Sequence, residues 1–124
     1  MKLRIKGNSI RFRLTKSEVD YFAAEGYLEE KTEFGNASFT YALQNMNDAK
    51  ELSASFVENK ITVLIPTALS KEWTSSNRVG CESEMEIGNN KKLFLLIEKD
   101  FKCLDNVAED QSDNYENPNA EKIV

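Results

Sequence analysis

Histidine is absent from the 124 residues. That absence removes Ser–His and Cys–His catalysis, the common zinc sites and the usual general base near neutral pH. Any chemistry would have to run on carboxylates, lysine or a hard metal ion. Cysteine is scarce: Cys81 and Cys103 stand alone, in no zinc or redox spacing. Both fall on inward rows of alternating segments, so they read as buried small hydrophobes, and a reducing cytoplasm is the expected compartment. No apolar run approaches the about 18 residues of a membrane span. The first residues alternate instead of building an apolar block, so no signal peptide and no membrane partner are expected. The chain also lacks a net basic footprint. Its net charge is −5, with a pI near 4.9, which argues against general nucleic-acid affinity.

Charge is present in quantity, at 30% of residues, and it is unevenly placed. From Leu104 onward Asp105, Glu109, Asp110, Asp113, Glu116 and Glu121 face a single base, Lys122. Residues 1–103 are therefore neutral overall. The chain divides into a globular part, residues 1–104, and an acidic, apolar-poor C-terminal tail, residues 105–124, expected to be flexible. Tyr115 and Ile123-Val124 are the groups in that tail able to anchor it. Asp105, Asp110 and Asp113-Asn114 lack the central glycine and closing glutamate of a calcium loop.

The opening stretch organises the rest. Lys2-Leu3-Arg4-Ile5-Lys6 and Ser9-Ile10-Arg11-Phe12-Arg13-Leu14 alternate apolar and basic residues around Gly7-Asn8, the signature of a hairpin with a two-residue turn. In that register Ile5 faces Ile10 and Leu3 faces Phe12. On the other side Arg4 lies opposite Arg11, and Lys2 opposite Arg13. Like charges directly across a ladder cost roughly 0.2–1 kcal/mol per pair, so an anionic group is expected over this face.

Thr15-Lys16-Ser17-Glu18 reads as a capping box opening a helix over residues 16–25, stopped by Gly26. Tyr27–Phe34 is expected as an edge strand that turns at Gly35-Asn36 into a strand with Phe39, Tyr41 and Leu43 inward. Leu52, Ala54 and Phe56 form another inward face. A turn at Asn59-Lys60 would pair Phe56 with Val63 and Ala54 with Ile65. Ile61–Ile65 is apolar on both faces, as a central strand should be, and Pro66 ends it. Thr67–Ser75 then reads as a short helix with Leu69 and Trp73 on its buried side. Val79–Ile87 and Lys92–Phe101 form a last hairpin around Gly88-Asn89-Asn90, with Met85 near Leu93 or Leu95. The sum is one α+β domain: a mostly antiparallel, twisted or barrel-like sheet of about seven or eight strands with two short helices.

Two charged rows carry the functional expectation. Lys2, Arg4, Lys6, Arg11 and Arg13 form a basic row suited to an anionic small molecule or an acidic peptide segment, this chain's own tail included. Glu82, Glu84 and Glu86, continued by Glu98 and Asp100, form an acidic row. If the two rows neutralise each other they act as a cross-strand lattice, each exposed pair contributing about 0–1 kcal/mol. Glu82-x-Glu84-x-Glu86 is similar in style to the triphosphate-tunnel barrels, which would imply divalent metal at those glutamates and Mg²⁺-dependent phosphohydrolysis. That family places its acidic motif in the first strand, whereas here the first strand is basic. Over nearly the whole chain, residues 5–19, Glu98–Leu104 and Asn117-Pro118-Asn119 resemble a family of small uncharacterised bacterial proteins with no assigned activity. The leading expectation is a non-catalytic binding or interaction module with no cofactor, with a protein partner or homodimer as a further possibility through exposed strand edges.

Overall fold

The computed structural model describes residues 1–101 and 113–116. Among these the chain forms β1 (Lys2–Ile5), β2 (Ser9–Leu14), α1 (Lys16–Glu25), β3 (Tyr27–Glu33), β4 (Ser38–Met46), β5 (Ser53–Val57), β6 (Lys60–Pro66), α2 (Thr67–Ser75), β7 (Gly80–Gly88) and β8 (Lys91–Lys99). The α+β class, the strand number and the two short helices agree with the sequence. The strands do not close into a barrel. They form two four-stranded sheets, ordered β1-β2-β8-β7 and β3-β4-β6-β5. Both are mixed: the hairpin pairs are antiparallel, while the central pairs β2/β8 and β4/β6 run parallel.

The topology is an internal duplication. Hairpin, helix, hairpin occurs twice, as β1-β2-α1-β3-β4 and β5-β6-α2-β7-β8. Each helix carries the chain from one sheet to the other, so each sheet takes one hairpin from each half. Register repeats as well: Leu3 opposite Phe12 and Ile5 opposite Ile10 in the first half become Ala54 opposite Val63 and Phe56 opposite Ile61 in the second. On α1 the buried residues are Val19 and Phe22; on α2 they are Ser70 and Trp73 at the corresponding positions.

Local chemistry explains the elements. Gly7 supplies the positive φ of +54° that the first turn requires. In the second half the turn is Glu58-Asn59, with φ of +50° and +63°, one residue earlier than the expected Asn59-Lys60. The pairing is accordingly Phe56 with Ile61 and Ala54 with Val63, two residues from the expected register. Helix α1 begins as a capping box, in which Glu18 accepts the Thr15 backbone N–H at 2.9 Å, and ends on left-handed Gly26, whose N–H bonds the Phe22 carbonyl.

The inner faces of both sheets meet in one core. Phe12, Leu14, Leu43, Val63, Ile65, Leu95 and Ile97 are all at most 1% exposed. The helices pack on each other and close one end of this core with Val19, Phe22 and Trp73. The four hairpin turns lie at the opposite end. Trp73 is a core plug, as expected; its indole N–H donates to the Val79 carbonyl at 3.1 Å. Cys81 is buried, and burial pushes its thiol up from the usual range, with Arg78 opposing. Cys103, most of the acidic tail and the Asp105–Asp110 stretch lie outside the described residues.

Candidate anion-binding face

The outer face of the β1-β2-β8-β7 sheet carries both charged rows. Paired residues share a face, so one row across the sheet reads Arg4, Arg11, Leu96, Glu82, and the next reads Lys2, Arg13, Glu98, Gly80. The basic residues occupy one edge and the glutamates of β7 the other. Three strand spacings, about 14 Å, separate those edges, so the basic ribbon and Glu82, Glu84 and Glu86 do not pair directly. Parallel pairing of β2 with β8 brings up the other acids instead. Glu98 lies beside Arg13, with Nε to Oε1 at 2.7 Å, and 3.6 Å from Arg11 Nε. Lys2 Nζ lies 3.3 Å from Asp100 Oδ2. That distance is within ion-pair range, yet the oxygen receives no hydrogen bond among the described residues, so the contact is off the hydrogen-bonding direction.

Three of the five basic residues thus lie within ion-pair range of an acid on β8 or its continuation, Arg11 and Arg13 sharing Glu98. Arg4 and Lys6 have no ion pair among the described residues. With Ser9, Ile10, Arg11 and Phe94 they line a depression of about 190 Å³. On the far edge Glu84 pairs with Lys92 at 3.2 Å, and Glu82 and Glu86 are exposed. Among the described residues no three acidic or cysteine side chains come together to hold a metal ion.

A second charged cluster escaped the sequence reading. Lys99 continues the inward row of Leu95 and Ile97 and is only 6% exposed. Its ammonium donates to the carbonyl of Ser76, the last cap of α2, at 2.7 Å. It also lies 5.3 Å from the centre of the Tyr115 ring, while Lys16 approaches the same ring at 5.9 Å. Burial pulls Lys99 down from the ordinary lysine range, with Cys81 opposing. Burial, then the charges of Asp20 and Asp113, push the Tyr115 phenol up to about 12. The period-two pattern ahead of Lys99 was the available signal.

Tyr115 belongs to a strap that docks on the start of α1. The Lys16 N–H bonds the Asp113 carbonyl at 3.0 Å, and the Asp113 carboxylate accepts the Ser17 N–H at 3.1 Å and the Ser17 hydroxyl at 2.6 Å. Two otherwise orphaned helix donors are satisfied this way. Tyr115 anchors as expected, but the described acidic segment sits on α1 rather than over the basic row. Hydrogen bonds from the Ser17 hydroxyl, then Thr15 and the Ser17 amide, hold the Asp113 carboxyl below its ordinary value of 3.8. A lowered folded value means the contribution is present above the unfolded value and is lost as pH falls through the folded one. Strap release is therefore expected on acidification below about pH 3.8, and at neutral pH in Asp113→Ala. Faster amide hydrogen exchange at Lys16, Ser17 and Tyr115, with core amides unchanged, is the readout.

Fold and face together define a class: a duplicated α+β domain of two sheets that exchange hairpins, with a charge-graded outer face. No helix among the described residues is long and apolar enough to cross a membrane. The chain belongs to a family of unknown function, DUF7009, whose model matches residues 1–119. No curated protein and no solved structure matches it.

Proposed function

We propose that the protein is a non-catalytic binding module whose basic hairpin holds an anionic ligand. One observation carries this reading. Arg4 and Lys6, unpaired with any acid among the described residues, border one depression with Arg11, and Phe94 forms its apolar wall. Ladder repulsion between Arg4 and Arg11 is relieved on the Arg11 side by Glu98 alone. An anion in the depression supplies the missing counter-charge, and hydrogen bonds to charged groups contribute roughly 1.5–3 kcal/mol each.

Pyrophosphate is the simplest probe. At about 20 mM salt it is expected to shift the backbone amide resonances of Arg4, Lys6, Ser9 and Arg11. At about 300 mM salt, where screening shortens the reach of exposed charges, the shifts should weaken several-fold. The double variant Arg4→Glu/Lys6→Glu should bind at least about tenfold more weakly, with an unchanged fold by circular dichroism because both residues are exposed. Absence of shifts at low salt, or equal shifts in the variant, overturns the reading.

A further inference from the structure

The two ends of the core are finished differently. At the helix end Phe22 and Trp73 are fully buried. At the turn end the inner faces of the sheets stand apart and leave a cup of about 420 Å³. Its wall includes Ile5, Ile10, Phe39, Phe56, Ile61 and Leu93, and no charged residue lines it. Ile5 is 56% exposed and Phe56 66%, and these two occupy equivalent positions in the two halves. The duplication therefore builds the cup from both copies of the unit.

We propose that this cup takes the aliphatic tail of one soluble amphiphile whose anionic head lies on the basic hairpin. The inference rests on the anion reading above and names the class of ligand. Ile10 belongs to both linings, the cup on the inner face and the basic depression on the outer face of the same hairpin, so the path from tail to head runs over the lip at the Gly7-Asn8 turn. Ile5, in the cup wall, is flanked in the chain by Arg4 and Lys6. Lys6 and Ser9 close the hairpin at the lip, with the Lys6 N–H on the Ser9 carbonyl at 3.2 Å. The cup's size, nature and rim match a concave, mostly apolar small-molecule site. At about 30 Å³ per methylene-sized group it holds on the order of a dozen heavy atoms, the size of decanoate. A bilayer is a poor occupant: the turns around the mouth are Gly7-Asn8, Gly35-Asn36, Glu58-Asn59 and Asn89-Asn90, and such polar tips resist entry into hydrocarbon.

Three probes separate the parts of the claim: decanoate for head and tail, decanol for the tail alone, pyrophosphate for the head site alone. All are followed through methyl resonances of Ile5, Ile10, Ile61 and Leu93 and amide resonances of Arg4 and Lys6, below the micelle concentration. Decanoate is expected to bind with Kd on the order of 100 µM, about tenfold or more tighter than decanol. Phe56→Glu should abolish decanoate and decanol binding and leave pyrophosphate binding intact. Lys6→Glu should reduce decanoate to the level of decanol. If neither alkyl probe moves the four methyl groups, the cup assignment is overturned, whatever pyrophosphate does. Equal affinity for decanoate and decanol overturns the head-group assignment. Binding to phosphatidylglycerol vesicles without binding to decanoate overturns the claim in favour of a membrane surface.

Discussion

Trp73→Ala is expected to cost about 3–5 kcal/mol of unfolding free energy, the range for deleting a large buried aromatic. A domain of this kind has roughly 5–15 kcal/mol in total, so the variant should be marginal or unfolded at room temperature. Trp73 is fully buried at the closed end of the core, where α2 meets α1 and the ends of the strands. Its surroundings are held by backbone pairing of both sheets and cannot collapse into the space. The indole N–H also donates to the Val79 carbonyl, and that bond is lost with the ring. Trp73→Phe keeps most of the ring and loses the bond, so about 1–2 kcal/mol is expected for it. Urea unfolding followed by far-ultraviolet circular dichroism is the measurement, since Trp73 is the only tryptophan and its fluorescence disappears with it. A loss below about 1 kcal/mol for the alanine variant would show that the ring does not close the core.

Local features of the fold were legible in the residues. Gly7-Asn8 between alternating runs yielded the β1/β2 register, with Leu3 opposite Phe12 and Arg4 opposite Arg11 as observed. Thr15–Glu18 and Gly26 bracketed α1, and Pro66 preceded α2, at the observed bounds. Met85 pairs with Leu93, one of the two expected partners. Each of these depends on side chains within a few residues of one another. The Glu58-Asn59 turn was misplaced because Glu58 is an uncommon residue at positive φ, and nothing in its type announces +50°.

The non-local half of the fold was not legible. Parallel pairing of β2 with β8 joins residues more than eighty positions apart, and no local pattern encodes it. Yet this pairing decides which acids meet the basic ribbon. Glu98 reaches Arg13 because β8 lies next to β2, whereas Glu82, Glu84 and Glu86, one strand further out, do not. Alternation alone treated all five acids as equivalent. The duplication was hidden for a related reason. Its halves share register and burial rather than residue identity: Phe12 corresponds to Val63, Val19 to Ser70, Phe22 to Trp73. The cup at the turn end, lined from all four hairpins, becomes visible only once the halves are placed together.

Gly80→Ala is the second large loss expected, about 3 kcal/mol, at the upper end for overpacking. Gly80 is not in a left-handed conformation; the constraint on it is space. A Cβ there would lie 2.5 Å from the Ile97 carbonyl oxygen and 3.1–3.2 Å from Glu98. The nearest obstructing atom is backbone of β8, a strand also hydrogen-bonded to β2 on its other side. Strand β8 cannot retreat, so the start of β7 must move. The residue next to it, Val79, uses its carbonyl twice, accepting from Lys99 N–H at 3.0 Å and from the Trp73 indole at 3.1 Å. Displacing β7 therefore pulls on the anchor of α2 as well as on the sheet. Gly80→Ala and Trp73→Phe should consequently be non-additive: with the indole bond already gone, the added methyl should cost roughly 0.5–1 kcal/mol less than in the parent chain. Gly7→Ala is the contrast, because its Cβ meets nothing within 4 Å and only the φ of +54° is strained, so about 1 kcal/mol is expected there. A cost for Gly80→Ala no larger than for Gly7→Ala would mean that the strands part without penalty. Strict additivity with Trp73→Phe would mean that the Val79 carbonyl does not couple the helix to the sheet.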